Sequence, residues 1–219
     1  MNLKKLREED KKSRKWKDRG ILAKIEDPIA YFLAYLFIQI GVTPNVVSFL
    51  MIPFCLIGAV LIYYGYAVLG ILSFMFADNL DYVDGMVARI TQTFSKKGLL
   101  YDAVHHFLER TIFFIAIGYA VDKLAIGVCI ALVFLFIQAF VLAYNAHVTW
   151  DDRKFRKLPI VLIYGGLTAQ WKFLFLFGFI IYLINPIGLA IIQLSLIAVF
   201  AVQTIRLFVV PLLLINEVK

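Results

Sequence analysis

The 219-residue chain is 62% hydrophobic and 16% aromatic, with a formal net charge of +7. A soluble domain could not cover that much apolar surface, so the composition points to an integral membrane protein. Three histidines and two isolated cysteines have no usual zinc-ligand spacing, Cys55 and Cys129 read as core residues silent about redox compartment, and no nucleic-acid partner is expected.

The chain opens with a basic segment, K-K-L-R-E-E-D-K-K-S-R-K-W-K-D-R-G, within residues 1–27. It reads either as a solvated tail or as a surface helix anchored by Trp16 beside anionic lipid. It lacks a short apolar region with a cleavage site, so no cleavable signal peptide is expected. Ile29 to Ile40 is too short for a span of roughly 20 residues and predicts an interfacial helix ending at Gly41. Residues 1–42 are therefore taken as tail plus interfacial helix, and 43–219 as a transmembrane domain.

Thr43-Pro44-Asn45 starts the first span, with proline tolerated in its first turn. Six spans are predicted at about 44–65, 67–90, 98–121, 124–147, 160–184 and 187–212. The fold class is thus all-α, six transmembrane helices after a basic and interfacial segment. The fifth span is interrupted by Gly165-Gly166 and Lys172, which leaves as an alternative two pieces, the first lying on the surface or breaking inside the protein. Lys and Arg crowd the N-terminal tail, the 90–97 loop and the 148–158 loop, and are nearly absent from the loops near Gly65, Lys123 and Asn185. The positive-inside rule then puts both termini and the 90–97 loop in the cytoplasm.

The informative stretch spans Asp81 to Glu109: D-Y-V-D-G-M-V-A-R, eight residues, then G-L-L-Y-D-A-V-H-H-F-L-E. At about 100° per residue, Asp81, Asp84, Gly85, Ala88 and Arg89 share one arc, joined by Asp78 from the preceding turn. Asp102, His105, His106 and Glu109 share a face of the next helix. Ionisable residues inside apolar spans are costly and mark function. Clustered carboxylates need a cation, and oxygen-only donors suit a hard divalent ion that shares its shell with phosphate. Gly85 and Ala88 clear space for a ligand on that face, and Arg89 can reach a phosphate. The set predicts metal-assisted phosphoryl transfer at the cytoplasmic interface.

These residues resemble the signature of the CDP-alcohol phosphotransferase family, D-x2-D-G-x2-A-R-x8-G-x3-D-x3-D. Asp81, Asp84, Gly85, Ala88, Arg89, Gly98 and Asp102 fit it with every spacer intact, and Pro44-Asn45 also matches. The resemblance implies transfer of a phosphoalcohol group from a CDP-linked donor to an acceptor hydroxyl, releasing CMP, in phospholipid or related lipid synthesis. A CMP-linked phosphonate donor has the same leaving group. It implies one or two Mg²⁺ or Mn²⁺ ions on Asp81, Asp84 and Asp102, and a nucleotide site formed by Asn45, Asp81, Gly85, Ala88, Arg89 and Gly98. Membrane lipid as substrate and a homodimer follow from the same likeness.

One motif position departs. The family's fourth aspartate, to which general-base and second-metal roles are assigned, is His106 here. Imidazole, with an ordinary pKa of ≈ 6.5, suits proton abstraction near neutral pH but is a poorer Mg²⁺ ligand. Three readings stand: His106 replaces the base, His105 or Glu109 substitutes for it, or the chain is a non-catalytic relative. An ion-coupled transporter is the rival from another class. It predicts midplane sites and inverted halves, whereas the charges here cluster at one end of two consecutive spans. Asn145, His147, Asp151 and Asp152 are candidates for an acceptor pocket or a solvated loop, and Gln138, Gln193, Gln203 and Thr204 for interhelical hydrogen bonds.

Overall fold

The computed structural model describes residues 6–8, 23–93, 96–147 and 168–218. Its helices are α1 (Ala23–Gln39), α2 (Pro44–Tyr63), α3 (Ala67–Thr91), α4 (Lys96–Ala120), α5 (Leu124–His147), α6 (Thr168–Tyr182) and α7 (Ile187–Val218). No strand occurs among the described residues. α1 begins before the expected Ile29 and carries Pro28 in its interior, since the residues before that proline also take helical backbone. The basic segment outside residues 6–8, the 148–158 loop with Asp151 and Asp152, and residues 160–167 of the fifth predicted span lie outside the described residues. α7 runs to Val218, beyond the expected end of the sixth span.

The first four helices end where the backbone turns left-handed. Gly41 (φ 73°) and Gly65 (φ 87°) let the following amides reach back, Val42 N–H to the Phe37 carbonyl at 2.9 Å and Tyr66 N–H to the Leu61 carbonyl at 2.8 Å. This is the Schellman closure, which satisfies carbonyls left open at a helix end. Gln92 (φ 56°) and Asp122 (φ 55°) close α3 and α4 in the same way without glycine. Their partner bonds run from Thr93 N–H to the Ala88 carbonyl at 3.1 Å and from Lys123 N–H to the Gly118 carbonyl at 2.8 Å.

Contacts divide the chain into two units, Met1–Cys55 with Ser73–His106, and Leu56–Leu72 with Phe107–Lys219. In the first unit α3 buries Phe74, Ala77, Leu80, Val83 and Met86, an apolar stripe at helical spacing. Ser73 Oγ donates to the Phe54 carbonyl of α2 at 2.7 Å, and Phe54 meets Phe76 edge-on at 4.6 Å. With the stripe turned inward, Asp81, Asp84, Gly85, Ala88 and Arg89 are left half-buried along the other side of α3.

The second unit packs on aromatics and close glycine crossings. Phe113, Phe114, Phe134 and Phe175 are all buried, and Phe114 stacks on Phe134 at 5.5 Å. A Cβ at Gly127 would lie 2.3 Å from the Phe114 carbonyl oxygen, and one at Gly188 2.2 Å from the Tyr182 nitrogen, so only glycine permits these approaches. α5 and α6 both pack along α7. Gln193 makes an interhelical bond, Nε2 donating to the Val121 carbonyl at 3.0 Å. Gln203 instead accepts from Arg206 on its own helix at 2.9 Å, and Thr204 donates to the Phe200 carbonyl of its own helix at 2.9 Å. The Gln138, Asn145 and His147 side chains lie outside the described residues.

Among the described residues two helical stretches, Pro44–Tyr63 and Ile187–Val210, are long and apolar enough to cross a membrane by length and composition. Shorter apolar helices cover Pro28–Gln39, Leu124–Ile137 and Trp171–Tyr182. Large apolar side chains face outward on several helices, among them Phe49, Leu56, Leu132 and Phe208. A surface so rich in exposed hydrocarbon is stable against lipid and unstable against water.

Candidate active site

Two helices of the first unit converge on the aspartates of α3. Ser48 of α2 is buried; its Oγ donates a hydrogen bond to Asp84 Oδ2 and lies 3.1 Å from the Pro44 carbonyl oxygen of its own helix. His106 of α4 brings Nε2 to 3.5 Å from Asp81 Oδ1, and both side chains keep about a quarter of their surface exposed. One aspartate is thus held from α2 and the other faced from α4. Both side chains are therefore open to a small solute as well as to each other.

The glycine of the set is read by what it leaves open. A Cβ at Gly85 would meet only the Arg89 guanidinium, with Nη1 at 3.1 Å. Arg89 therefore folds back along α3 over the surface that Gly85 clears, and a phosphate arriving there would meet a cation and bare backbone. α3 stops just beyond: Gln92 Nε2 donates to the Arg89 carbonyl at 2.7 Å, and Thr91 Oγ1 to the Val87 carbonyl at 2.7 Å. The left-handed backbone at Gln92 (φ 56°) ends the helix within one turn of Arg89.

Asn45 stands exposed on the first turn of α2, one turn before Ser48. Ala88 is half-buried beside Arg89. Gly98 and Asp102 lie on the first two turns of α4, with side chains outside the described residues. His105 is buried at 5% exposure, in contrast to its half-buried neighbour His106. In the second unit, Glu109 is 2% exposed and its Oε1 is paired with Lys172 Nζ of α6. That engages the carboxylate the sequence offered as an alternative base.

Ser48 is the residue the sequence reading missed. Its signal was a hydroxyl three residues after Asn45, on the same face of an otherwise apolar run.

Oxygen donors of this kind fit a hard divalent ion: Asp81 and Asp84 lie one turn apart on α3, and Ser48 orients the second carboxylate from behind. No group of three or more His, Cys, Asp or Glu side chains forms a metal cage among the described residues, and Asp102 lies outside that set. Arg89 beside the cleared face of Gly85 suits an anionic partner.

A family model described as CDP-alcohol phosphatidyltransferase matches residues 41–209, which takes in every motif residue above. No curated protein sequence matches the chain.

Proposed function

The chain belongs to the CDP-alcohol phosphatidyltransferase family, whose members transfer phosphoalcohol groups in lipid synthesis and are membrane-integral, and from this premise we propose that it is a working transferase. In this reading it moves a phosphoalcohol or phosphonate group from a CDP- or CMP-linked donor to an acceptor hydroxyl and releases CMP. The carrying observation is the approach of His106 Nε2 to Asp81 Oδ1 at 3.5 Å, within the aspartate set of the family motif.

Asp81, Asp84 and Asp102 are the residues that would hold one or two Mg²⁺ or Mn²⁺ ions. Such an ion supplies neutralisation of charge on the donor diphosphate. Asn45, Gly85, Ala88, Arg89 and Gly98 form the nucleotide side. Arg89 contributes a fixed positive charge, and Gly85 contributes clearance for the approach of the phosphates. His106 Nε2 takes the proton of the acceptor hydroxyl, and the imidazolium so formed stands beside the Asp81 carboxylate, which stabilises it. Attack by the acceptor oxygen at the phosphorus distal to cytidine breaks the bond to CMP. His105, buried next to it, positions the turn that carries His106.

The six-span topology, the division into residues 1–42 and 43–219, the cytoplasmic placement of both termini and of the site, and a homodimer belong to the same proposal. The basic loops favour the cytoplasmic placement, and membership of a membrane-integral family favours a membrane domain; the homodimer rests on the family resemblance alone. The histidine at the fourth aspartate position favours one second reading, a non-catalytic relative. CMP release by purified protein, measured with a panel of CDP-linked donors and Mg²⁺ or Mn²⁺, decides between them. Release with at least one donor and acceptor is expected. Silence with all of them, from a protein that still binds the nucleotide, would establish the non-catalytic reading.

A further inference from the structure

The second unit contains a cavity of about 850 Å³ to which no motif residue contributes. It is framed by the end of α2 and start of α3, the turn from α4 into α5, and the end of α6. Most of its wall is hydrocarbon, including Ile62, Leu124, Phe179 and Leu183. Water fills such a space poorly, whereas a lipid chain fills it well, and the volume lies within the range of small-molecule sites.

The polar part of the wall has a definite chemistry. Among the described residues four tyrosines line it, Tyr63, Tyr66, Tyr119 and Tyr182, and Asp122 is the one charged lining residue. The Tyr63 and Tyr119 rings stack at 5.2 Å with 24° between their planes, giving a paired aromatic surface on one side of the cavity. Asp122 is held in place by its left-handed backbone (φ 55°) and by its N–H, which donates to the Tyr119 carbonyl at 3.2 Å. Phenol faces with one carboxylate attract an alkylammonium group through cation–π and charge attraction. Tyrosine also favours the level where bilayer meets water, which is where an ammonium headgroup lies.

We propose that this cavity binds an ammonium-headed membrane lipid of the phosphatidylcholine or phosphatidylethanolamine class. Its chain lies along Ile62, Leu124 and Phe179, and its ammonium lies beside Asp122 among the tyrosine rings. The site is separate from the aspartates of α3, and the inference does not depend on the transferase reading.

The test uses the full chain in detergent, with lipid binding followed by native mass spectrometry and by thermal unfolding. The probes are dioleoylphosphatidylcholine, dioleoylphosphatidylglycerol of the same chain length, and choline chloride. Phosphatidylcholine is expected to bind about tenfold more tightly than phosphatidylglycerol, as for a partly desolvated cation over aromatic rings, and choline alone to give no shift. Asp122→Asn keeps the left-handed turn, which asparagine tolerates, and should bring phosphatidylcholine down to the phosphatidylglycerol level. Tyr119→Leu, which keeps bulk but removes the ring, should weaken phosphatidylcholine alone. Equal binding of the two lipids by the parent overturns the proposal. So does a preference that survives Asp122→Asn, because that binding would reside elsewhere, including at the transferase site. A choline shift equal to that of the lipid overturns the lipid assignment.

Discussion

Ser48 of α2 donates a hydrogen bond to the Asp84 carboxylate of α3. The bond orients the oxygens of a carboxylate that the motif assigns to a metal, without Ser48 being a motif residue itself. Partners that orient metal ligands from behind commonly contribute 10–100-fold in affinity or activity. Ser48→Ala should therefore leave the protein folded, weaken Mn²⁺-dependent binding of a CDP-compound by about tenfold or more, and be read by titration with that nucleotide. Unchanged affinity would leave Ser48 a purely structural helix contact.

Gly85 separates packing from binding. The atoms nearest to a Cβ placed there belong to the Arg89 guanidinium, the end of a long side chain that can give by a few tenths of an ångström, so Gly85→Ala should fold normally. Alanine even favours the helix by roughly 0.5–1 kcal/mol. If the open face receives the donor, the same methyl should raise the KM for a CDP-linked donor roughly tenfold, since a close-packed contact charges about 1–3 kcal/mol for one added methyl. Unfolding temperature and KM measured on one preparation check both halves. A variant unaltered in KM would remove Gly85 from the nucleotide site.

The Glu109–Lys172 pair joins α4 to α6 with both side chains about 3% exposed, and Lys172 also sits 5.5 Å from the Phe113 ring centre. Removing one partner takes compensation away from the other charge in an apolar interior, which costs up to about 3–5 kcal/mol in buried pairs, whereas replacing both by apolar or neutral groups is far milder. Glu109→Gln and Lys172→Met should each lower the unfolding temperature in detergent, and the double variant should recover most of the loss. Additive losses in the double variant would show that the two act independently.

That pair also marks the limit of what the sequence made legible. Helix ends at Gly41 and Gly65 follow from glycine chemistry, and the half-buried run Asp81, Asp84, Gly85, Ala88 and Arg89 follows from helical period, so both could be read from residue order. Lys172 read only as an interruption of a span, because its partner lies 63 residues away in the chain and periodicity carries no information about such pairings. Ser48 was hidden for the same reason. α1 starts before Ile29 and carries Pro28 inside it; the residues ahead of the proline, A-K-I-E-D, are more polar than those after it, so the apolar run alone points to the later start.

The proposed base is His106. Its Nε2 faces Asp81 Oδ1 at 3.5 Å, and in the proposed mechanism it takes the proton of the attacking hydroxyl. His106→Ala should cut the transfer rate by about 10²–10⁴, the usual weight of a general base, while binding of the CDP-linked donor survives. His106→Asp restores the family pattern and adds a carboxylate on the side of α4 that faces Asp81, set further back because aspartate is shorter than histidine. Two like charges so near each other still repel unless a cation lies between them. The aspartate variant should therefore unfold at lower temperature than the parent without divalent ions and gain more from added Mn²⁺, while retaining or exceeding parental CMP release. If His106→Ala turns over as fast as the parent, the base assignment falls and His105 is the residue to test next, since Glu109 is already engaged by Lys172. If only His106→Asp releases CMP and the parent is silent with every donor, the chain is a non-catalytic member of its family.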